Sequence, residues 1–160
     1  MKYAALKKND IANAPGICVS FYTQGCPHRC PGCHNPDTWS FDGGKEFTPE
    51  VMNELLEALK ANGVHRNLCI LGGEPLCPEN LSLTSLICQT VREKNPTVKI
   101  YIWTGYTIEE LRENITNPKI NNILNGIYAD VLIDGRFEID KKDLNLEMRG
   151  SSNQRIIQLT

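Results

Sequence analysis

Residues 17–33 read ICVSFYTQGCPHRCPGC, a strand-like apolar run followed directly by three closely spaced cysteines. Cys26, Cys30 and Cys33 supply three thiolates in a C-x-x-x-C-x-x-C run, and this run at 26–33 contains no fourth cysteine. Because a structural metal site usually closes its tetrahedron with four protein ligands, a set of three suggests an ion or cluster with one position left open for chemistry. The stretch therefore predicts a strand followed by a reactive metal centre.

Short apolar runs alternate with helical patterns along the rest of the chain, which is typical of parallel strands joined by helical crossovers. Apolar runs predict strands at 17–22, 67–71, 98–103, 130–134 and 155–159. Capping residues and apolar spacing predict helices from Thr48-Pro49 to Gly63, over about 80–94, and from Thr107 with a break or restart at Pro118. In the second helix the predicted buried stripe consists of Leu83, Leu86, Ile87 and Val91.

Right-handed crossovers repeated around a curved sheet build all or part of a β/α barrel. A complete barrel needs about 250 residues, so the 160 residues of this chain supply only about four or five of its eight units. The predicted fold is therefore α/β, a partial (open) β/α barrel with a mainly parallel sheet of about four to six strands. No repeat, low-complexity tract or linker divides the sequence, so residues 1–160 are predicted to form a single domain.

Composition and charge narrow the class of function. With a net charge of -2 the chain has no basic field for a nucleic-acid backbone, so nucleic acid is not an expected partner. The longest apolar runs fall far short of the ~20 residues that cross a bilayer, and the N-terminus lacks the apolar segment of a signal peptide. No membrane span is therefore expected, and the expected location is the cytoplasm.

The seven cysteines are an odd number for a disulfide framework, and a reducing compartment favours metal binding instead. Cys18 and Cys69 lie within apolar strand-like runs, where a thiol behaves as a small hydrophobe, and they are interpreted as core residues. Cys88 falls on a predicted helix away from the cysteine run, and Cys77 receives no assigned role.

Each motif-bearing loop follows the carboxyl end of a predicted strand, which is the edge that carries the active site in β/α barrels and open α/β sheets. The loops are the cysteine run, Gly72-Gly73-Glu74-Pro75, Thr104-Gly105-Tyr106 and Asp134-Gly135-Arg136. We expect all four loops to converge on one pocket.

Three side chains of these loops suit a polar or charged ligand. Glu74 can accept hydrogen bonds from a cationic amine, beside two glycines that let the backbone approach closely. Arg136 suits a ligand carboxylate, and Asp134 suits a ribose hydroxyl or a cation. An ordinary turn explains the glycine loop, and a surface ion pair explains Asp134 and Arg136 equally well.

The cysteine run, taken together with Gly72-Gly73-Glu74-Pro75, resembles the radical S-adenosylmethionine enzymes. Within that superfamily, four further phrases are similar to the activating proteins of anaerobic ribonucleoside-triphosphate reductase. They are CHNPDTW (33–39), WTGY (103–106), VLIDGRF (131–137) and RGSSNQ (149–154). The similarity covers nearly the whole chain.

The resemblance implies a set of cofactor ligands. Cys26, Cys30 and Cys33 would hold three irons of one [4Fe-4S] cluster, whose fourth iron is chelated by S-adenosylmethionine. The Gly72-Gly73-Glu74 segment would receive the methionine amino group, and the backbone of 32–34 would face the cofactor. Gly32 stands where many superfamily members carry an aromatic residue, so the backbone would contact the adenine there. With the other strand-end loops included, the residues predicted to bind the cofactor are Gly32, Cys33, His34, Gly72, Gly73, Glu74, Thr104, Asp134 and Arg136.

The resemblance also implies a reaction and its partners. An external electron donor such as a flavodoxin reduces the cluster, the sulfonium is cleaved, and a 5′-deoxyadenosyl radical is released. That radical removes a hydrogen from the Cα of one glycine in the large subunit of anaerobic ribonucleoside-triphosphate reductase.

Several alternatives stay open. One alternative is that the target is another glycyl-radical enzyme, such as a formate lyase. Another alternative is that the chain is a non-catalytic metal-binding interaction module. A deazaguanine synthase is also a short member of the superfamily, but its cysteine spacing typically differs. For the cysteines themselves, the alternative is a structural zinc site completed by His28, His34 or Cys77.

Overall fold

A single sheet of seven strands runs through the chain in the computed structural model, which describes residues 1–160. Its strands are β1 (Lys2–Asp10), β2 (Cys18–Thr23), β3 (Lys45–Glu46), β4 (Asn67–Gly72), β5 (Ile100–Trp103), β6 (Val131–Asp134) and β7 (Arg155–Gln158). The α-helices are α1 (Pro49–Lys60), α2 (Pro78–Lys94), α3 (Ile108–Arg112) and α4 (Pro118–Leu124). Short 3-10 turns lie at Pro36–Thr38, Ala61–Gly63 and Ile139–Lys141.

Local sequence determines where the helices begin. The Thr48 side chain accepts a hydrogen bond from the Val51 N–H, and Pro49 occupies the first turn of α1, where its missing N–H costs nothing. The α3 helix begins with a capping box between Thr107 and Glu110. Pro118 starts a separate helix, α4, which confirms the predicted restart.

The α2 helix buries most of its predicted stripe. Leu83, Ile87 and Val91 are buried, but Leu86 is 42% exposed, so its assignment to the stripe was wrong. Leu86 directly precedes Ile87, and neighbouring helical positions lie about 100° apart around the axis. With Ile87 buried, Leu86 therefore turns away from the sheet.

Two apolar clusters lie on opposite faces of the sheet, because successive side chains of a strand alternate between its faces. In β4, Leu68 and Ile70 belong to the larger cluster, which also contains the buried apolar residues of the four helices. Cys69 and Leu71 belong to the smaller cluster on the other face, together with Tyr101. The helices therefore cover one face and leave the other face open at the strand ends.

The prediction of a mainly parallel partial barrel with about four to six strands is wrong. The sheet has seven strands in the order β3-β1-β2-β4-β5-β6-β7. Only the central pairs β2-β4, β4-β5 and β5-β6 are parallel, whereas β1-β2, β1-β3 and β6-β7 are antiparallel. The fold is a mixed sheet with antiparallel edges.

The chain connections explain this correction. A parallel neighbour needs a crossover, usually a helix, but β6 and β7 are joined by a loop whose only helical piece is the 3-10 turn Ile139–Lys141. The β7 strand therefore returns antiparallel to β6. Next to the edge strand β3 on the other side, β1 carries Lys2, Lys7 and Lys8, which are exposed, so it lacks the apolar run that identifies a buried strand.

No helix in the structure has both the length and the apolar character needed to span a membrane.

Candidate metal and cofactor site

The carboxyl ends of β2, β4, β5 and β6 surround a cavity of about 430 Å³ on the sheet face that carries the smaller apolar cluster. Each of the four strand-end loops contributes to its wall. The contributing loop residues are Cys26, His28, Cys30, Cys33, Gly72, Gly73, Glu74, Thr104, Gly105 and Gly135. The loops that carry the sequence motifs therefore meet at one place.

The cysteine loop is held at the cavity by backbone hydrogen bonds. The N–H groups of Gly25 and Cys26 donate to the carbonyls of Thr38 and Trp39, at 2.6 and 3.0 Å. The Cys33 thiol accepts a hydrogen bond from the Asn35 N–H at 3.4 Å. These contacts fold the loop back on itself and keep its three thiols beside the cavity.

Burial raises the pKa of the Cys26 and Cys30 thiols above their usual value. Both groups are therefore neutral thiols near pH 7 in the metal-free chain. A thiol must lose its proton to ligate iron, so loading of the site releases protons.

The donor set suits an iron-sulfur cluster better than a single ion. The three thiols border the cavity, but no three His, Cys, Asp or Glu side chains converge as the ligands of one metal ion do. In a cluster, each thiolate binds a different iron. Two residues considered for completing a zinc site are engaged elsewhere: His28 contacts Glu74, and the Cys77 thiol donates to the Glu74 carbonyl at 3.2 Å.

Glu74 is the most heavily hydrogen-bonded side chain of the site. Its carboxylate is 1% exposed and accepts bonds from four donors. The His28 Nε2 and the Gly105 N–H lie 2.7 and 2.6 Å from Oε1, and the Thr104 hydroxyl and the Leu76 N–H lie 2.7 and 2.9 Å from Oε2. Because an ionised carboxylate has about four lone-pair sites, the protein itself satisfies this one.

Gly73 lies where the backbone of two loops meets. Its N–H donates to the Thr23 carbonyl at 2.9 Å, and a Cβ added at this position would clash with the Gly25 carbonyl. Only glycine fits here, and the absence of a side chain leaves the backbone open to the cavity. The carbonyls of Gly73 and Gly105 accept no backbone hydrogen bond.

Three other predicted cofactor residues lie at or near the cavity. Thr104 and His34 line the wall, and the His34 ring lies 5.3 Å from that of Phe137. Gly32 is not part of the wall. It adopts a φ of +76°, a left-handed conformation that favours glycine.

Asp134 and Arg136 lie outside the cavity wall. Asp134 is 0% exposed, and its carboxylate accepts hydrogen bonds from the Ile108 N–H and from the Arg155 guanidinium. Arg136 forms two hydrogen bonds with Glu110, at 2.7 and 3.0 Å. Their predicted contacts with a ligand stay predictions without geometric support.

Sequence reasoning missed the arginine that does line the cavity, which is Arg149. Its Nε and Nη1 donate only to the carbonyls of Glu147 and Gln154, and no carboxylate pairs with it. The signal was available, since Arg149 opens the RGSSNQ phrase at 149–154. Its position at the wall follows from the return of β7 beside β6.

Comparison with known proteins gives this arrangement a family. The family described as a 4Fe-4S single cluster domain matches residues 12–157. The chain is 37% identical to the anaerobic ribonucleoside-triphosphate reductase-activating protein of Pasteurella multocida, over 100% of this chain and 99% of that protein. The protein of the same name from Escherichia coli K12 is 36% identical, over 96% of both chains. That of Enterobacteria phage T4 is 34% identical, over 98% of this chain and 93% of that protein.

The chain belongs to the anaerobic ribonucleoside-triphosphate reductase-activating protein family. This family uses a [4Fe-4S] cluster and S-adenosylmethionine, which confirms the predicted cofactors, and its members are iron-sulfur activating enzymes. The cavity wall carries the chemistry that such cofactors need, since it holds three thiols for iron beside free backbone carbonyls.

Proposed function

We propose that this chain cleaves S-adenosylmethionine reductively at one [4Fe-4S] cluster and generates a glycyl radical on the large subunit of anaerobic ribonucleoside-triphosphate reductase. One observation carries the proposal. Cys26, Cys30 and Cys33 share a cavity wall with Gly72-Gly73-Glu74, in a chain related over its full length to activating proteins of that reductase. The relatives' name favours this reductase over a formate lyase as the target.

When bound, the cluster and S-adenosylmethionine would supply the one-electron chemistry that removes a hydrogen atom from the target glycine. The chain must hold the cofactor in place and keep out other hydrogen donors. Cys26, Cys30 and Cys33 would hold three irons through thiolates, and the fourth iron would have no protein ligand.

The methionine amino group is assigned to backbone carbonyls, with Glu74 in a supporting role. The Glu74 carboxylate already has four protein donors, whereas the carbonyls of Gly73 and Gly105 face no backbone donor. An ammonium group donates three hydrogen bonds and prefers such acceptors. The buried negative charge of Glu74 nearby adds a favourable field for a cation.

The methionine carboxylate is assigned to Arg149. This guanidinium lines the cavity without an acidic partner, and its fork of donors matches the two oxygens of a carboxylate. Arg136, for which that role was predicted, is already paired with Glu110.

Apolar side chains form one part of the cavity wall. Trp103, Phe137, Leu146 and Met148 border the cavity, and the Trp103 indole N–H is satisfied by the Met148 carbonyl at 2.8 Å. Apolar groups next to a bound cofactor strengthen its electrostatic contacts and limit the access of solvent.

An external electron donor such as a flavodoxin and a cytoplasmic location complete the proposal. All seven cysteines are free in the structure. Free thiols persist in a reducing compartment, which the assembly of an oxygen-sensitive cluster also needs.

The test begins with protein prepared under anaerobic conditions. We expect about four irons and four sulfides per chain, and cleavage of S-adenosylmethionine to 5′-deoxyadenosine once the cluster is reduced. Incubation with the large reductase subunit should then give the glycyl radical doublet in electron paramagnetic resonance spectra. A radical doublet that forms only with formate lyase would make that enzyme the target. Bound zinc without cleavage of S-adenosylmethionine would favour the metal-binding interaction module as the function.

A further inference from the structure

His28 is a residue of the cavity that none of the proposed cofactor contacts uses. It lies between two of the metal-binding cysteines in sequence, and its imidazole side chain is 6% exposed. Its Nε2 lies 2.7 Å from the Glu74 carboxylate, 46 positions further along the chain. This contact joins the cysteine loop to the loop that follows β4.

The imidazole is also held from a second side. Its ring packs edge-on against the ring of Tyr106, with the centroids 4.6 Å apart. A Cβ added at Gly105 would clash with the imidazole, so the loop after β5 fits the ring only because residue 105 is glycine. His28 therefore contacts two strand-end loops besides its own.

Glu74 extends the same junction. Its other side-chain donors come from Thr104 and Gly105, after β5, and from Leu76 in its own loop. Its backbone N–H donates to the Gly25 carbonyl at 2.8 Å, at the start of the cysteine loop. One buried carboxylate thus joins three loops that border the cavity.

Taking a carboxylate and an imidazole out of water is costly, and well-packed apolar side chains often stabilise a fold equally well. The presence of the His28–Glu74 pair is therefore better explained by the loop geometry that it enforces than by a contribution to stability. It sets the position of the thiols relative to the carbonyls of Gly73 and Gly105.

We infer that His28 is a positioning residue. Through its contact with Glu74, it holds the cysteine loop at a fixed distance from the Gly73 and Gly105 carbonyls. At that distance, one S-adenosylmethionine molecule reaches from the cluster held by the cysteine loop to the two carbonyls. The inference deepens the proposed function and depends on it. It assigns His28 neither to iron nor to proton transfer. Partners that orient a metal site from behind its ligands are commonly worth about 10–100-fold in affinity or activity.

The test compares His28→Ala and His28→Gln with His65→Ala as the matched control, because His65 is exposed and contacts only Asn67. All forms are reconstituted with iron and sulfide. S-adenosylmethionine is then titrated into the reduced protein while the electron paramagnetic resonance spectrum of the cluster is followed. Iron content and the KM and kcat of cofactor cleavage are measured alongside.

We expect His28→Ala to retain the cluster but to require about tenfold or more S-adenosylmethionine for the spectral change, with a matching rise in KM. His28→Gln keeps an N–H donor and should recover most of the affinity, and His65→Ala should equal the wild type. If His28→Ala responds at the wild-type cofactor concentration, the inference is overturned.

Two further outcomes are decisive. If neither His28 variant binds iron, the Glu74→Gln variant is measured in the same way. An equal loss of iron in Glu74→Gln supports the role of the His28–Glu74 contact. Iron content and S-adenosylmethionine affinity equal to those of the wild type overturn it. If the wild-type spectrum itself ignores S-adenosylmethionine, the proposed function fails. Failure of the inference alone leaves the wild type responsive and His28→Ala equal to it.

Discussion

Glu74 and Asp134 are both buried carboxylates at the carboxyl ends of parallel strands, 1% and 0% exposed, but their donors come from different parts of the molecule. Three of the donors to Glu74 come from residues that line the cavity, namely His28, Thr104 and Gly105. The donors to Asp134 are the Ile108 N–H and Arg155, neither of which lines it. Position at a strand end therefore does not by itself identify a ligand-binding carboxylate.

The contrast divides the edge of the sheet into two regions. The cavity region consists of the cysteine loop and the loops after β4 and β5, and its polar contacts hold groups that face the cofactors. The outer region consists of Asp134, Arg155, Glu109 and the start of α3, and its contacts join helix to sheet. Changes in the first region should alter chemistry, and changes in the second should alter the free energy of unfolding.

The largest effect is expected for Cys30→Ala. A methyl group cannot replace a thiolate ligand, so iron binding and cofactor cleavage should fall to background, while the metal-free chain keeps its thermal midpoint. Iron analysis and a cleavage assay measure the first effect, and calorimetry of the metal-free protein measures the second.

Cys88→Ala is the matched control, because Cys88 is 0% exposed in the main core and far from the cysteine loop in sequence. It should keep full iron content and lose about 1 kcal/mol of unfolding free energy through the lost packing. If Cys88→Ala loses iron as completely as Cys30→Ala, the assignment of the ligands is wrong.

The outer region should respond to Asp134→Ala with a loss of about 2–3 kcal/mol in unfolding free energy. The change leaves the buried Ile108 N–H without an acceptor and removes the inner partner of Arg155. Urea unfolding of the metal-free protein measures the loss, with the exposed Asp140→Ala as control. Iron content and cleavage per folded molecule should stay unchanged, and a selective rise in the KM for S-adenosylmethionine would restore the ligand role of Asp134.

A smaller effect distinguishes two arginines across the same boundary. Arg149→Gln should raise the KM for S-adenosylmethionine by about tenfold, equivalent to ~1.4 kcal/mol, because the cavity loses its charged fork for the carboxylate. Arg136→Gln is its counterpart outside the wall and should leave the KM unchanged. Steady-state cleavage assays of both variants measure the KM. A rise in KM for Arg136→Gln but not for Arg149→Gln would favour Arg136, the residue predicted from the sequence.

Most of the central sheet could be predicted from sequence, because β2, β4, β5 and β6 are buried apolar runs whose pattern needs no knowledge of the neighbours. The strands near the two edges of the sheet could not be predicted in the same way. The β1 strand is half-exposed and lysine-rich, β3 has two residues, and the direction of β7 depends on how a largely irregular loop of 135–154 returns.

The site divides in the same way. Its motif loops could be predicted because strand ends share one edge of the sheet. Their hydrogen bonds could not, because the donors to Glu74 come from positions 46 and 31 residues away. No local pattern shows that such a carboxylate is already satisfied, or that Arg149 and not Arg136 reaches the wall. Those facts arise only when the loops pack together.

The smallest predicted effect concerns Glu110, the exposed counterpart of the two buried carboxylates. Its hydrogen bonds with Arg136, followed by that from the Thr107 N–H, lower its pKa to about 2. A carboxyl whose pKa is lower in the folded state stabilises the fold above its unfolded pKa of about 4.3, and this contribution disappears as the pH falls towards 2. Because Glu110 and Arg136 are 39% and 44% exposed, the contribution should stay below about 1 kcal/mol.

Glu110→Gln should therefore lower the urea midpoint slightly at pH 7. The gap from the wild type should narrow steadily as the pH falls from about 5 towards 2, because the carboxyl of the unfolded wild-type chain takes up its proton first and that of the folded chain last. Raised salt at pH 7 should narrow the gap as well, because both partners are exposed to solvent. Asp134→Ala should keep most of its deficit under the same salt, since Asp134 and its hydrogen bond with the Ile108 N–H are buried. If the difference in urea midpoint between Glu110→Gln and the wild type changes with neither pH nor salt, the capping contact of Glu110 with Thr107, and not the ion pair, carries the effect. The contrast between exposed and buried carboxylates would then depend on Asp134 and Glu74 alone.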